Sequence, residues 1–154
     1  MATEAYIEKS LYFKLRKVAR YVELYGIRRT LSKVHAQYHM ASKDSFEGTR
    51  WDNPSCNDEA SPKRTVGLLG SGAFAYSNIA YYLEQIESGC IRAAMDVDPA
   101  RAKSLVKKYK AAYATIDHEE IISDPNIDLV FIASNHASHA PYAVKALDAG
   151  KDVH

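Results

Sequence analysis

Two glycines and an alanine, Gly70, Gly72 and Ala75, stand between a short apolar run, Thr65–Leu69, and a stretch of helical periodicity from Phe74 to Glu87. A G-x-G-x-x-A loop between a strand and a helix restricts what the backbone can do. The first small residue permits a tight turn, the second lets a bulky anion come up to the main chain, and the third lets helix and strand pack closely. The amides at the start of the helix then face that anion. A bare strand–helix turn could use the same glycines, but the strand before and the helix after supply the context that a pyrophosphate-binding loop requires. Gly70, Gly72, Ala73, Phe74 and Ala75 are therefore candidate cofactor-binding residues.

Downstream the pattern alternates. Ile91–Met95 reads as a strand and Pro99–Tyr109 as a helix with Ala102, Leu105 and Val106 inward. Tyr113 and Ala114 suggest a short strand, His118–Ser123 a brief helix, and Asp128–Ala133 a strongly apolar strand. Ala137–Ala149 reads as a helix ended by Gly150, and Lys151–His154 begins another strand. Strands alternating with helices predict βαβ units and a parallel sheet. With right-handed crossovers, the fold class is α/β, a partial Rossmann-type doubly wound parallel sheet preceded by an N-terminal α-helical extension.

Asp96 ends the second strand of this series, 26 residues after Gly70. The dinucleotide fingerprint expects an acidic residue about 20 residues on, bonded to the adenosine ribose. A carboxylate there favours the free 2′-hydroxyl of NAD over the 2′-phosphate of NADP, and the neutral Val97 fits that preference; nearby Arg101 argues against it. Asp96 and Asp98 are both also able to cap the helix that opens at Pro99. The better division gives Asp98 the cap and Asp96 the ribose.

After the most apolar strand comes Ala133-Ser134-Asn135-His136-Ala137-Ser138-His139. Ligands of open parallel sheets sit beyond the carboxyl ends of the strands, so Ala133, Ser134, Asn135 and His139 are candidate cofactor contacts. The alternative is helix capping by Ser134 or Asn135 with His139 exposed. His136 and His139 have no convincing third metal ligand in the sequence, and no metal is expected.

Four segments in order resemble the glucose–fructose oxidoreductase/inositol dehydrogenase (Gfo/Idh/MocA) family. They are the loop Val66–Ala75, the stretch Ala94–Ala102, the stretch Asp124–Val130 and the stretch Ala146–Val153. The family's T-P-N-x-x-H pattern stands here as Ser134–His139, with only the final histidine kept. The resemblance implies the nucleotide-binding part of an NAD(P)-dependent oxidoreductase acting on a sugar, sugar derivative or cyclitol, with NAD as cofactor and NADP less favoured. In the family the chain continues into Glu-Lys-Pro, whose lysine acts near the hydride-transfer centre, and then into a substrate domain. The 154 residues stop before that motif, so the chain alone is expected to bind a dinucleotide without turnover, and no catalytic residue is assigned. A second reading is an NAD(H)-sensing or protein-interaction module with a basic partner-binding arm.

That arm covers residues 1–63. Residues 1–43 carry nine Lys and Arg against three Asp and Glu, whereas 44–154 carry eleven against sixteen. Ile7, Leu11, Leu15, Val18 and Val22 recur at helical spacing; after Gly26 a second helix is expected from about Arg28 to Met40, with a thin stripe of Leu31, Val34 and Tyr38. Residues 44–63 read as a linker anchored by Trp51, and the dinucleotide-binding domain starts at Arg64. Two basic helices could contact DNA or lie on a membrane, but packing on their own domain, or against a second copy, is the stronger expectation. Neither nucleic acid nor membrane leaves a strong signal. Two cysteines make no disulfide framework, and no secretory signal or membrane span is visible, so the expected location is the cytoplasm.

Overall fold

A computed structural model of the chain describes residues 9–56 and 65–154. Ile7 and the expected boundary at residues 63–64 lie outside them. Among the described residues six strands form one sheet in the order β1-β4-β3-β2-β5-β6. They are β1 (Arg50–Asp52), β2 (Val66–Leu69), β3 (Ile91–Met95), β4 (Tyr113–Thr115), β5 (Leu129–Ile132) and β6 (Asp152–Val153). The pairs β2–β3, β2–β5, β3–β4 and β5–β6 are parallel, and only β1–β4 is antiparallel. The parallel strands run outward from β2 in both directions, as the doubly wound reading requires, and the order reverses between β2 and β5.

Burial on both faces explains why β2 reads as a continuous apolar run and not an alternating one. Leu68, Val66, Ile91 and Ala94 meet Ala75, Ala80, Ala102, Leu105 and Val106 on one face. Leu69, Ala93, Met95 and Val130 meet Ile121, Ile122, Ile127 and Ala146 on the other. Leu105 and Val106 are fully buried, each worth roughly 1.5–3 kcal/mol of transfer free energy. Gly67 is a tight point, since a Cβ there would lie 2.5 Å from Ile121 Cγ2.

The helices are α1 (Leu11–Tyr25), α2 (Ile27–Met40), α3 (Ala80–Ile86), α4 (Pro99–Tyr109), α5 (His118–Ile122) and α6 (His136–Asp148). Their ends follow local chemistry. Gly26, at φ +78°, breaks α1 from α2. Asp98 accepts from the Ala100 amide ahead of Pro99, and Lys110 ends α4 in the left-handed region. Asp117 and Asn135 cap α5 and α6.

Three expectations are corrected here. First, the stretch read as linker supplies β1, whose Trp51 aligns with Ala114; three residues are too short to show a period. Second, the helix expected from Phe74 opens with a π-helical turn, Ala75–Ile79, before α3. Third, the apolar stripe of α2 faces the wrong way. Leu31 and Tyr38 are exposed, and the buried residues are Thr30, Ser32, Ala36 and His39. Small side chains let α2 approach the π-helical turn and α4 closely, and the polar ones recover hydrogen bonds there. In α1, no described residue is fully buried, and Leu11 and Leu15 are exposed. Among the described residues no helix is long and apolar enough to cross a membrane.

Candidate functional site

The carboxyl ends of β2, β3 and β5 meet at the point where strand order reverses, the place where open α/β sheets bind ligands. Gly70 donates its N–H to Met95 O at 2.9 Å, and Ala133 donates to Leu69 O at 2.7 Å. Gly70 has φ +102°, and a Cβ on it would sit 2.6 Å from both the Ala133 carbonyl carbon and the Ser134 nitrogen. Its glycine is thus required by the turn and by the neighbouring chain. Gly72 differs, because a Cβ there would meet nothing within 4 Å. The open space above it, at the start of a helical segment, is a cradle of the kind a pyrophosphate fills. Ala75 is buried under the helix, as close packing demands, Ala73 is half-buried, and Phe74 is exposed.

Asp96 lies against this loop. It is buried, its Oδ2 accepts from the Ser71 amide at 2.8 Å, and its Oδ1 accepts from the Asp98 amide at 3.0 Å. The carboxylate is therefore held in place by the main chain on both sides, with lone pairs left for further donors. Asp98 performs the helix cap, and its Oδ2 lies 3.2 Å from Arg101 Nε, an ion pair in which Nε makes no hydrogen bond. The cation that weakened the argument for NAD is thus already paired.

Beyond β5 the polar cluster is ordered by its own hydrogen bonds. Asn135 Oδ1 accepts from the Ser138 amide at 3.1 Å, as an N-cap does. Ser138 Oγ donates to Ser134 Oγ at 2.7 Å. His139 Nε2 donates to Ser134 O at 2.9 Å and is half-buried, and its ring stands edge-on to His136 with centroids 5.4 Å apart. Gly70, Ala133 and Ser134 are brought together across the β2–β5 junction, and Asp96 joins the loop through Ser71.

Two participants were not visible in the sequence. Ser71 is fully buried, and besides its amide bond to Asp96 it donates Oγ–H to Met95 O at 3.0 Å. The remaining polar group of Ser71, its carbonyl, faces His39 of α2, with Nε2 at 2.6 Å. His39 is 3% exposed and stacks on Tyr76 at 4.2 Å between centroids. Burial holds its pKa below the ordinary histidine value, although the Ser71 carbonyl and the Asp96 and Asp98 carboxylates pull the other way. Farther along α2, Arg29 donates to the Ser77 carbonyl and to Asn78 Oδ1 within the π-helical turn. No local signal marks His39, because it lies off the helix's apolar stripe.

Residues 64–154 match the profile described as oxidoreductase family, NAD-binding Rossmann fold. An inositol 2-dehydrogenase of Acidothermus cellulolyticus is 33% identical over 88 residues, 57% of this chain and 26% of that protein. A trans-1,2-dihydrobenzene-1,2-diol dehydrogenase of Mus musculus is 36% identical over 90 residues, covering 56% and 26%. The chain thus spans about a quarter of the length of these relatives. The WlbA dehydrogenase of Chromobacterium violaceum, solved with NADH and UDP-GlcNAcA, shares the fold with a TM-score of 0.54 at 22% identity, covering 60% of this chain and 27% of that one. A 3-ketoreductase of Actinomadura kijaniata, solved with NADP, also gives 0.54 at 22% identity, covering 58% and 28%. The chain belongs to the Gfo/Idh/MocA oxidoreductase family, and residues 64–154 are its NAD-binding Rossmann fold.

Proposed function

We propose that this chain binds NAD(H) as the cofactor half of an oxidoreductase acting on a sugar, sugar derivative or cyclitol. The observation that carries the reading is the open cradle at Gly72 with the buried carboxylate of Asp96 fastened to the same loop through Ser71. The pyrophosphate would lie over Gly72 and the Ala73 and Phe74 amides, and the ribose hydroxyls would donate to Asp96. The nicotinamide half would lie toward Ala133, Ser134, Asn135 and His139. Hydride exchange is the chemistry that a bound nicotinamide supplies. Preference for NAD over NADP is supported by the fixed Asp96 carboxylate, the exposed neutral Val97 and the pairing of Arg101 with Asp98. Calorimetry with NADH and NADPH tests this directly: NADH should bind the more tightly, and no heat with either at millimolar concentration would overturn it.

Turnover also needs a group to take the hydroxyl proton of the substrate, held against it in a closed pocket. His139, the best placed, spends its Nε2–H on Ser134 O, so that Nδ1 would have to be the atom that accepts the proton. Supplied with NAD+, the 154 residues assayed by themselves should form no NADH from inositol or glucose. Activity that disappears in His139→Ala would overturn this and make His139 the base.

The outward face of the arm supports self-association. Leu11, Leu15, Leu24, Tyr25 and Ile27 are all exposed, against the usual economy of apolar surface. Light scattering should report a dimer that Leu15→Glu dissociates; a monomer at all concentrations would overturn it. Cys90 is a buried free thiol, in keeping with the reducing cytoplasm in which we place the protein.

A further inference from the structure

We propose that His39, on the N-terminal arm, is a positioning residue for the dinucleotide loop, so that the arm is a working part of the cofactor site. The inference rests on the NAD(H) reading above. Ser71 is the residue between the two glycines, and each of its three polar groups is tied down. Its amide is held by Asp96, its hydroxyl by Met95 O, and its carbonyl by His39. The first two bonds come from within the Rossmann unit. The third comes from residue 39, across a part of the chain that the family profile does not include.

The geometry fixes the chemistry of the contact. A carbonyl only accepts, so Nε2 must carry the proton. His39 Nδ1 is buried without a hydrogen-bond partner, as suits the neutral Nε2–H tautomer. The ring is held flat by stacking on Tyr76, and the Tyr76 carbonyl in turn accepts from the Tyr109 hydroxyl of α4. Tyr76 sits in the π-helical turn that follows the loop, and its own amide donates to Gly72 O at 3.0 Å. His39 therefore touches the loop twice, once by hydrogen bond at Ser71 and once through the ring of a residue bonded to Gly72. Rotating the Ser71 peptide would turn the Gly72 amide away from the anion it is to meet. Holding that peptide in place before the ligand arrives removes an ordering cost from binding.

The test is titration of the full 154-residue chain with NADH, followed by fluorescence, in three variants. His39→Met keeps bulk and loses the donor; His39→Gln keeps an N–H at about the reach of Nε2. Arg29→Ala loosens α2 at Ser77 and Asn78 without touching the loop. His39→Met is expected to weaken NADH binding about fivefold to tenfold, the size of one oriented hydrogen bond. His39→Gln should stay within about twofold of the wild type. Arg29→Ala should lower the melting temperature and leave NADH affinity within about twofold. Hydrogen exchange adds a reciprocal readout, because coupling works in both directions. NADH should slow exchange of the α2 amides in the wild type and not in His39→Met. If His39→Met binds as well as the wild type, or Arg29→Ala weakens binding equally at matched melting temperature, His39 is only structural and the proposal falls. Failure of the wild type itself to bind NADH would overturn the NAD(H) reading and this one with it.

Discussion

Gly70 lies against Ala133 so closely that a Cβ on it would be 2.6 Å from the Ala133 carbonyl carbon. The contact joins the ends of β2 and β5 and leaves no side-chain space between them. At φ +102° the same residue is also in backbone territory that L side chains rarely adopt. Gly70→Ala should therefore destabilise the fold by roughly 2–4 kcal/mol, combining strain with a backbone clash. Gly72→Val should behave differently, since its Cβ meets nothing. Its melting temperature should stay close to that of the wild type while NADH affinity falls at least tenfold. Thermal unfolding and NADH titration of both variants separate the two roles. A fully folded Gly72→Val that binds normally would remove the cradle from the site.

Asp96 serves the loop and, on the reading above, the ribose. Replacing it by alanine orphans the Ser71 and Asp98 amides, each at a cost of about 1–3 kcal/mol if water does not reach them. Repulsion between Asp96 and a 2′-phosphate is also lost, on the order of a few kcal/mol at about 4 Å near a protein surface. Asp96→Ala should thus be less stable and should shrink the ratio of NADPH to NADH dissociation constants by about tenfold or more. Asp96→Asn also removes the charge and keeps one acceptor oxygen, but its NH2 must face one of the two amides that Asp96 accepts from, so it loses a single loop bond where alanine loses two. A ratio unchanged in both would leave Asp96 with the loop alone.

At the opposite side of the sheet, Arg92 Nε pairs with Asp124 Oδ2 at 2.7 Å, both side chains being largely buried. The Tyr113 hydroxyl donates to the same oxygen at 2.9 Å. Burial alone would raise the Asp124 pKa, but bonds from the Asn126 amide, Arg92 and Tyr113 hold it below the ordinary value. A carboxyl that is more acidic in the folded state stabilises the fold fully above its unfolded pKa, near about 3.9, and loses that contribution as pH falls through the folded value. Asp124→Ala should cost roughly 3–5 kcal/mol at neutral pH, because it breaks a largely buried ion pair and removes an acceptor of the Tyr113 hydroxyl. Its melting temperature should also fall less steeply than the wild type's below about pH 4. Calorimetric scans from pH 2.5 to 7 read both effects.

Trp51, the single tryptophan, lies under the Lys103 ammonium at 5.2 Å from its ring centroid. Lys103 and Lys107 both bond Asp44, which ties the segment before β1 to α4. Trp51→Ala should lower stability by about 2 kcal/mol, less than the 3–5 of a fully buried aromatic. In the wild type, tryptophan fluorescence and circular dichroism should report one common unfolding transition. A separate early fluorescence transition would show that β1 is detachable from the sheet.

Much of the Rossmann unit was legible in the order of residues because its determinants are local. The central strands β2 and β5 carry no polar side chain, since helices cover both sheet faces. The glycines stand where one short loop turns, and Asp98-Pro99 and Asn135 each cap a helix with atoms a few residues away. What depends on distant partners was not legible. Three residues around Trp51 carry no period, and only the exposed edge of β4 makes them a strand. In α2 the apolar stripe pointed to Leu31 and Tyr38, but the neighbouring helices accept only small or hydrogen-bonding side chains, so Thr30, Ser32, Ala36 and His39 went inside. Periodicity reports a residue's preference for an unspecified core. Tertiary structure brings His39 to the Ser71 carbonyl, because a buried polar group must find its partner wherever the fold supplies one.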